Sequence, residues 1–236
     1  MFGSFAPFVV LAAAGGVAAG IWIRRDDLPE TKDAAVLVVL LYAIGLIPSV
    51  GLWPVGPAIA LLLTALVSWR TGRLARWRAW FRVGRLDGVV CAMVVAVAVV
   101  SVVALVIWQS LLDGQLPSTY RQLTESVSPP AAVAGALGFA IVNGAIEDSI
   151  FFGVLLTPLL RQFPSGVAVV MAALAFGLAH SNGVPNGLVG IVLAGTWALM
   201  LGYLRTRTGG MLATYLAHVV ADATIVAVLV PPLLAA

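Results

Sequence analysis

VVCAMVVAVAVVSVVALVIWQSLL, residues 89–112, runs for 24 residues without a charged side chain. A helix of about 20 mostly apolar residues crosses the hydrocarbon core of a bilayer, so this stretch reads as a membrane span. Working outward, the same reading finds apolar segments near Phe5 to Ile23, Ala34 to Leu52, Pro57 to Trp69, Ala131 to Leu160, Gly166 to His180, Gly187 to Leu204 and Met211 to Leu234. Pro57 to Trp69 is short. Ala131 to Leu160 is long, about 45 Å at 1.5 Å per residue, and is expected to tilt, break near Gly144 or protrude. The expected fold is an all-α polytopic membrane helical bundle of about eight transmembrane helices. It forms one integral domain, 1–236, with N-terminal spans and a basic loop in 1–130 and a second part in 131–236 that carries the buried polar residues.

Composition supports this class. Of 236 residues 61% are hydrophobic and 10% charged, against roughly a quarter charged in soluble domains. That excludes a soluble globular protein and leaves no chain for a sizeable extramembrane domain, so function lies within the membrane. The formal charge of +3 includes six arginines between Arg70 and Arg85, a local bias and not a nucleic-acid-binding surface. The single cysteine, Cys91, excludes an intramolecular disulfide and a thiolate metal cluster; it reads as lipid-facing or packing.

Charge also orients the chain. The first segment lacks a basic residue before its apolar core and is followed by Arg24, Arg25, Asp26 and Asp27, which reads as a permanent span and not a cleaved signal. Lys and Arg concentrate in cytoplasmic loops. With eight spans and both termini extracytoplasmic, 12 of the 13 basic residues fall inside and only Arg121 outside. The loop RTGRLARWRAWFRVGR, residues 70–85, spaces Leu74, Trp77, Trp80 and Phe81 as an interfacial amphipathic helix would. Leu28, Pro29 and Glu30 read as a turn, and Asp113 to Pro130 is the one long polar loop.

Five ionisable residues fall inside the apolar segments: Glu147, Asp148, His180, His218 and Asp222. Such groups are costly in a bilayer and face the protein interior at functional sites. Glu147 and Asp148 are about 100° apart on a helix and are expected not to serve one small site together. His218 and Asp222 are four apart, where the carboxylate can orient the imidazole; Phe176 and His180 share that spacing. A carboxylate and two histidines on three helices are the ligand set of a zinc site with one position open for water, where the metal lowers the pKa of that water. Other readings of the same residues stay open: histidines as interhelical hydrogen-bonders or a proton relay, and the acids lining an ion path or pairing with Asn143. No H-E-x-x-H, G-x-S-x-G, Walker loop or dinucleotide fingerprint is present.

The runs IEDSIFFGVLL, AALAFGLAH and GYLRTRTGGMLATYLAHVVAD resemble the three motifs of the CAAX protease and bacteriocin-processing family, also called Abi, of intramembrane metalloproteases: E-E-x-x-x-R, F-x-x-x-H and H-x-x-x-N or D. The resemblance covers about Ala131 to Val230 and extends to the R-T-G before the last helix. It implies that Glu147 and His180 activate the attacking water, that His218 and Asp222 stabilise the oxyanion or bind metal, and that Asp148 and Phe176 support them. Glu147, His180 and His218 would hold a divalent metal, which the resemblance implies to be zinc. The implied function is a metal-dependent endopeptidase of a bacterial cell membrane, cleaving a membrane-embedded or lipidated peptide. The alternatives are a catalytically impaired member that binds peptides or confers bacteriocin immunity, and a transporter. Two positions depart from the pattern: Asp148 replaces the second glutamate and Phe152 the arginine. Without that arginine Asp148 is expected to be structural.

Overall fold

The computed structural model describes residues 29–47, 50–51, 53–112, 128–185 and 187–234. The expected first span and most of the polar loop, residues 113–127, lie outside the described residues. Within them the protein is an all-α membrane bundle: α1 Pro29–Gly45, α2 Val55–Arg70, a 3₁₀ turn Leu74–Arg76 leading into the single-turn α3 Trp77–Trp80, α4 Gly88–Leu112, α5 Pro129–Asp148, a π-helical stretch Ser149–Leu155, α6 Leu156–Gln162, α7 Ser165–Ala179, a 3₁₀ turn His180–Asn182, α8 Gly187–Thr208 and α9 Leu212–Leu234. Seven of the eight expected spans thus coincide with observed helices.

Local chemistry sets several of these boundaries. Pro29 and Glu30 open α1 where a turn was expected, because proline's missing N–H costs nothing in the first turn of a helix. The Asp87 carboxylate accepts from Val90 N–H at 2.9 Å and caps α4. Ser128 precedes the two prolines that begin α5. Among the described residues three helices are long and apolar enough to cross a membrane: Gly88–Leu111, Pro129–Gln162 and Gly187–Thr208. On α4, Val95, Val99, Val103, Ile107 and Leu111 are exposed, an apolar stripe whose solvent is lipid; Cys91 is exposed on the same helix.

The long helix does not break at Gly144. It runs 34 residues from Pro129 to Gln162 and changes hydrogen-bonding pattern later, at Ser149. Gly144 serves a close approach instead: a Cβ there would stand 3.4 Å from the His218 ring. The π-helical stretch buries Ile150 to Val154 consecutively, which a one-sided helix does not do. It can because α1, α3 and α7 all pack around it.

The basic loop is not a surface-lying amphipathic helix. Its helical part is only the 3₁₀ turn and α3, and Trp77 and Trp80 are buried in the core, ring centroids 5.1 Å apart. The cause is Asp33, 1% exposed on α1. Arg73 Nε donates to its Oδ1 at 2.9 Å and Trp77 Nε1 to its Oδ2 at 3.2 Å. A buried carboxylate needs such donors, and supplying them draws the loop inward. Arg161 and Arg76 reach Glu30 at 3.1 and 3.8 Å.

α7 and α8 pack closely through small residues. A Cβ on Gly177 would lie 2.6 Å from Ile191 carbonyl oxygen and 3.0 Å from Gly195 Cα, the kind of contact by which membrane helices associate without a hydrophobic driving force. This packing and that of α9 against α4 and α5 bring the polar residues of α5, α7 and α9 together.

Candidate functional site

The site begins on α5. Asn143 and Glu147 are one turn apart on the same face, Asp148 follows, and all three are buried. His180 stands just past the end of α7, in the 3₁₀ turn, and His218 and Asp222 lie on α9. The structure brings all six residues singled out in the sequence, Glu147, Asp148, Phe176, His180, His218 and Asp222, into one cluster.

His218 is its centre, 1% exposed. Its Nδ1 meets Asp148 Oδ1 at 2.8 Å, while Nε2 lies 3.3 Å from Glu147 Oε2 and 3.7 Å from Asp222 Oδ2. Two corrections follow. Glu147 and Asp148 do serve one small site, because a single imidazole has a nitrogen on each edge and takes one carboxylate at each. The group that orients His218 is Asp148, not Asp222: 3.7 Å is too long for a hydrogen bond, and Asp222 Oδ2 instead accepts from Asn143 Nδ2 at 2.9 Å.

His180 is oriented by its own helix. Its Nδ1 lies 2.9 Å from the Phe176 carbonyl oxygen. A carbonyl only accepts, so Nδ1 carries the hydrogen and Nε2 of the neutral ring is bare, an assignment made from the partner. That nitrogen is 3.9 Å from Glu147 Oε2. Phe176 stacks on the imidazole at 4.5 Å and 22°, and Phe152 stacks on Phe176 at 6.1 Å and 23°. Where the resembled family has an arginine, this chain has the middle of an apolar core: Phe152 is fully buried and supports the ring that supports His180. Asp148, without that arginine, takes His218.

Glu147 Oε2 therefore lies within 4 Å of two imidazole nitrogens yet makes no hydrogen bond. A buried polar atom without a partner calls for one. Between the Glu147 oxygen and the bare Nε2 of His180, both acceptors, only a donor or a cation is favourable. A water molecule supplies two hydrogens for two such acceptors.

Two imidazoles and a carboxylate are a donor set that zinc takes. As the side chains stand, however, no group of three or more His, Cys, Asp or Glu among the described residues is arranged to hold a metal ion.

Two contributors were not singled out in the sequence, and a third, Asn143, carried a signal, a lone amide one turn before Glu147 on an apolar helix, and was read as a possible partner of Glu147 and Asp148; its amide donates instead to Asp222. Trp53, whose indole N–H donates to Asn143 Oδ1, and Trp197, edge-on to His218 at 4.7 Å and 84°, had none, because tryptophan in an apolar sequence reads as packing. Trp53 fixes which end of the Asn143 amide faces Asp222.

Residues 129–224 match the family model described as type II CAAX prenyl endopeptidase Rce1-like, in agreement with the resemblance carried by the three motifs. The match includes every residue of the cluster except Trp53. No curated protein and no solved structure matches the chain. Over residues 129–224 the chain carries the sequence pattern of a membrane-protease family.

Proposed function

We propose that the protein is an intramembrane endopeptidase that hydrolyses a membrane-embedded or lipidated peptide with a water activated by Glu147. The observation that carries this reading is the buried Glu147 Oε2, without a hydrogen bond, 3.9 Å from Nε2 of His180 and 3.3 Å from Nε2 of His218. A water between Glu147 and His180 has one proton directed at each acceptor and its lone pairs free to attack. Glu147 takes the proton as the oxygen adds to the scissile carbonyl, and the same carboxyl returns it to the leaving amine. His218, with carboxylates at both nitrogens, carries the positive charge that offsets the developing oxyanion. In a site sheltered from bulk water such fixed charges act strongly. The site lies within apolar spans, so its substrate is a peptide that enters the bilayer.

The second reading, a divalent metal held by Glu147, His180 and His218, draws on the chemistry of the donor set. It makes a separate prediction, that chelation abolishes activity and zinc restores it. Cleavage of a membrane-anchored peptide by the purified protein, compared with Glu147→Gln, tests the proposal; peptide binding without cleavage would favour a binding role. We also propose that the protein is multi-pass in a bacterial cell membrane with both termini extracytoplasmic, a reading supported by the asymmetry of its basic residues.

A further inference from the structure

Arg205 lies in the last turn of α8 and is only 8% exposed. Its Nε is buried without a hydrogen-bond partner, and among the described residues no acid or carbonyl reaches its guanidinium. A buried arginine is ordinarily paired, since an isolated buried charge is among the costliest features a fold can carry. The charge that acts on this one has the same sign: it belongs to Arg82.

The backbone holds these residues in one corner. Met211 N–H donates to Arg82 carbonyl oxygen at 2.8 Å and Arg85 N–H to Thr208 carbonyl oxygen at 2.9 Å. Gly84 and Gly210 pass so closely that a Cβ on Gly210 would stand 2.2 Å from Gly84 N, so this junction admits only glycine. Pinned in this way, residues 82–85 set Arg82 and Arg85 beside Arg205 and Arg207. The acid in this stretch, Asp87, lies 3.5 Å from Arg85 in an exposed pair.

Depth identifies the ligand. α8 has 22 residues, about 33 Å at 1.5 Å per residue, close to the thickness of the hydrocarbon core. Its last turn therefore lies at the level of lipid phosphates, where basic pockets between helices take anionic head groups. Arginine is suited to phosphate by its planar fork of donors.

We propose that Arg205 and Arg82 form a binding site for a phosphate group, supplied by an anionic phospholipid. A net negative head group neutralises the buried Arg205 guanidinium, whose Nε has no hydrogen-bond partner, whereas a zwitterionic one brings a cation with its phosphate. In this account the corner is a lipid-dependent clamp between the basic loop and the turn into α9, independent of the hydrolytic site.

The test uses the purified full chain in a neutral detergent, with phosphatidylglycerol, phosphatidylcholine or inorganic phosphate added, and follows thermal unfolding. Phosphatidylglycerol should raise Tm saturably by about 5 °C at lipid well above Kd, and phosphatidylcholine should not. Arg205→Leu should abolish that rise while unfolding no lower than wild type without lipid, because it removes an unpaired charge. Arg82→Gln, altering an exposed side chain, should weaken the response about tenfold; it keeps the test valid if Arg205→Leu fails to fold. If inorganic phosphate alone reproduces the rise, the site stands and its ligand is the soluble anion. Equal responses to the two lipids, or an unchanged response in both variants, would overturn the proposal.

Discussion

Asp148→Asn tests the orienting contact at the centre of the cluster. Asp148 Oδ1 lies 2.8 Å from His218 Nδ1, and both groups are buried. The substitution keeps the size of the side chain but removes the charge, and the amide can offer His218 either a carbonyl oxygen or an N–H. In the first case the Nδ1–H keeps a weaker, neutral partner; in the second the ring has to give up its Nδ1 proton, and with it the positive charge, leaving Nε2–H towards Glu147. Hydrogen bonds to charged groups contribute about 1.5–3 kcal/mol, which at 1.4 kcal/mol per tenfold is a loss of about 10- to 150-fold. The loss should fall on kcat and leave KM nearly unchanged, because Asp148 touches the imidazole and not the substrate. Single-turnover cleavage of an anchored peptide by protein reconstituted in liposomes measures it. A folded Asp148→Asn protein within twofold of wild-type kcat would refute the reasoning and return Asp148 to a purely structural role.

Phe152→Arg, which restores the family's arginine, should fail to accumulate or lose several kcal/mol of stability, since Phe152 is fully buried between core residues and Asp148 is already engaged by His218; expression and thermal unfolding read this out. Asn143→Ala strands the Trp53 indole and one Asp222 oxygen, at about 1–3 kcal/mol for each group, and should lower both Tm and kcat, with Trp53→Phe a milder version. Asp33→Ala leaves Arg73 and Trp77 without their shared carboxylate and should destabilise by about 3 kcal/mol or more, measured by unfolding in detergent. An export-active reporter should work when fused after Ala236 and fail near Arg78; the reverse would overturn the proposed orientation.

The fold class and the residues of the site were legible in the sequence for one reason. In so apolar a chain every ionisable residue inside a span needs an explanation, and the five found this way all lie in the cluster. Spacing along a helix could not give their pairing. Asp222 sits one turn from His218, yet Asn143 on another helix takes its oxygen, and Asp148 reaches His218 because the ring offers a nitrogen on each side. The loop 70–85 misled for a related reason. Its aromatic spacing suited an interface, but the deciding partner was Asp33, 40 residues away and indistinguishable in sequence from an ordinary acid near a helix start. The π-helical stretch had no sequence signal, since its pattern comes from the three helices packed around it.

The most direct test is hydrolysis by Glu147→Gln. Glutamine fills the same space and accepts a hydrogen bond but takes no proton from water. Purified wild-type and variant proteins, matched for folding by thermal unfolding, are given a membrane-anchored peptide in liposomes and the products are followed by mass spectrometry. Cleavage by the wild type is expected, with a loss of at least about 100-fold in kcat for Glu147→Gln and the peptide still bound. Cleavage at the wild-type rate by a folded Glu147→Gln protein would contradict it.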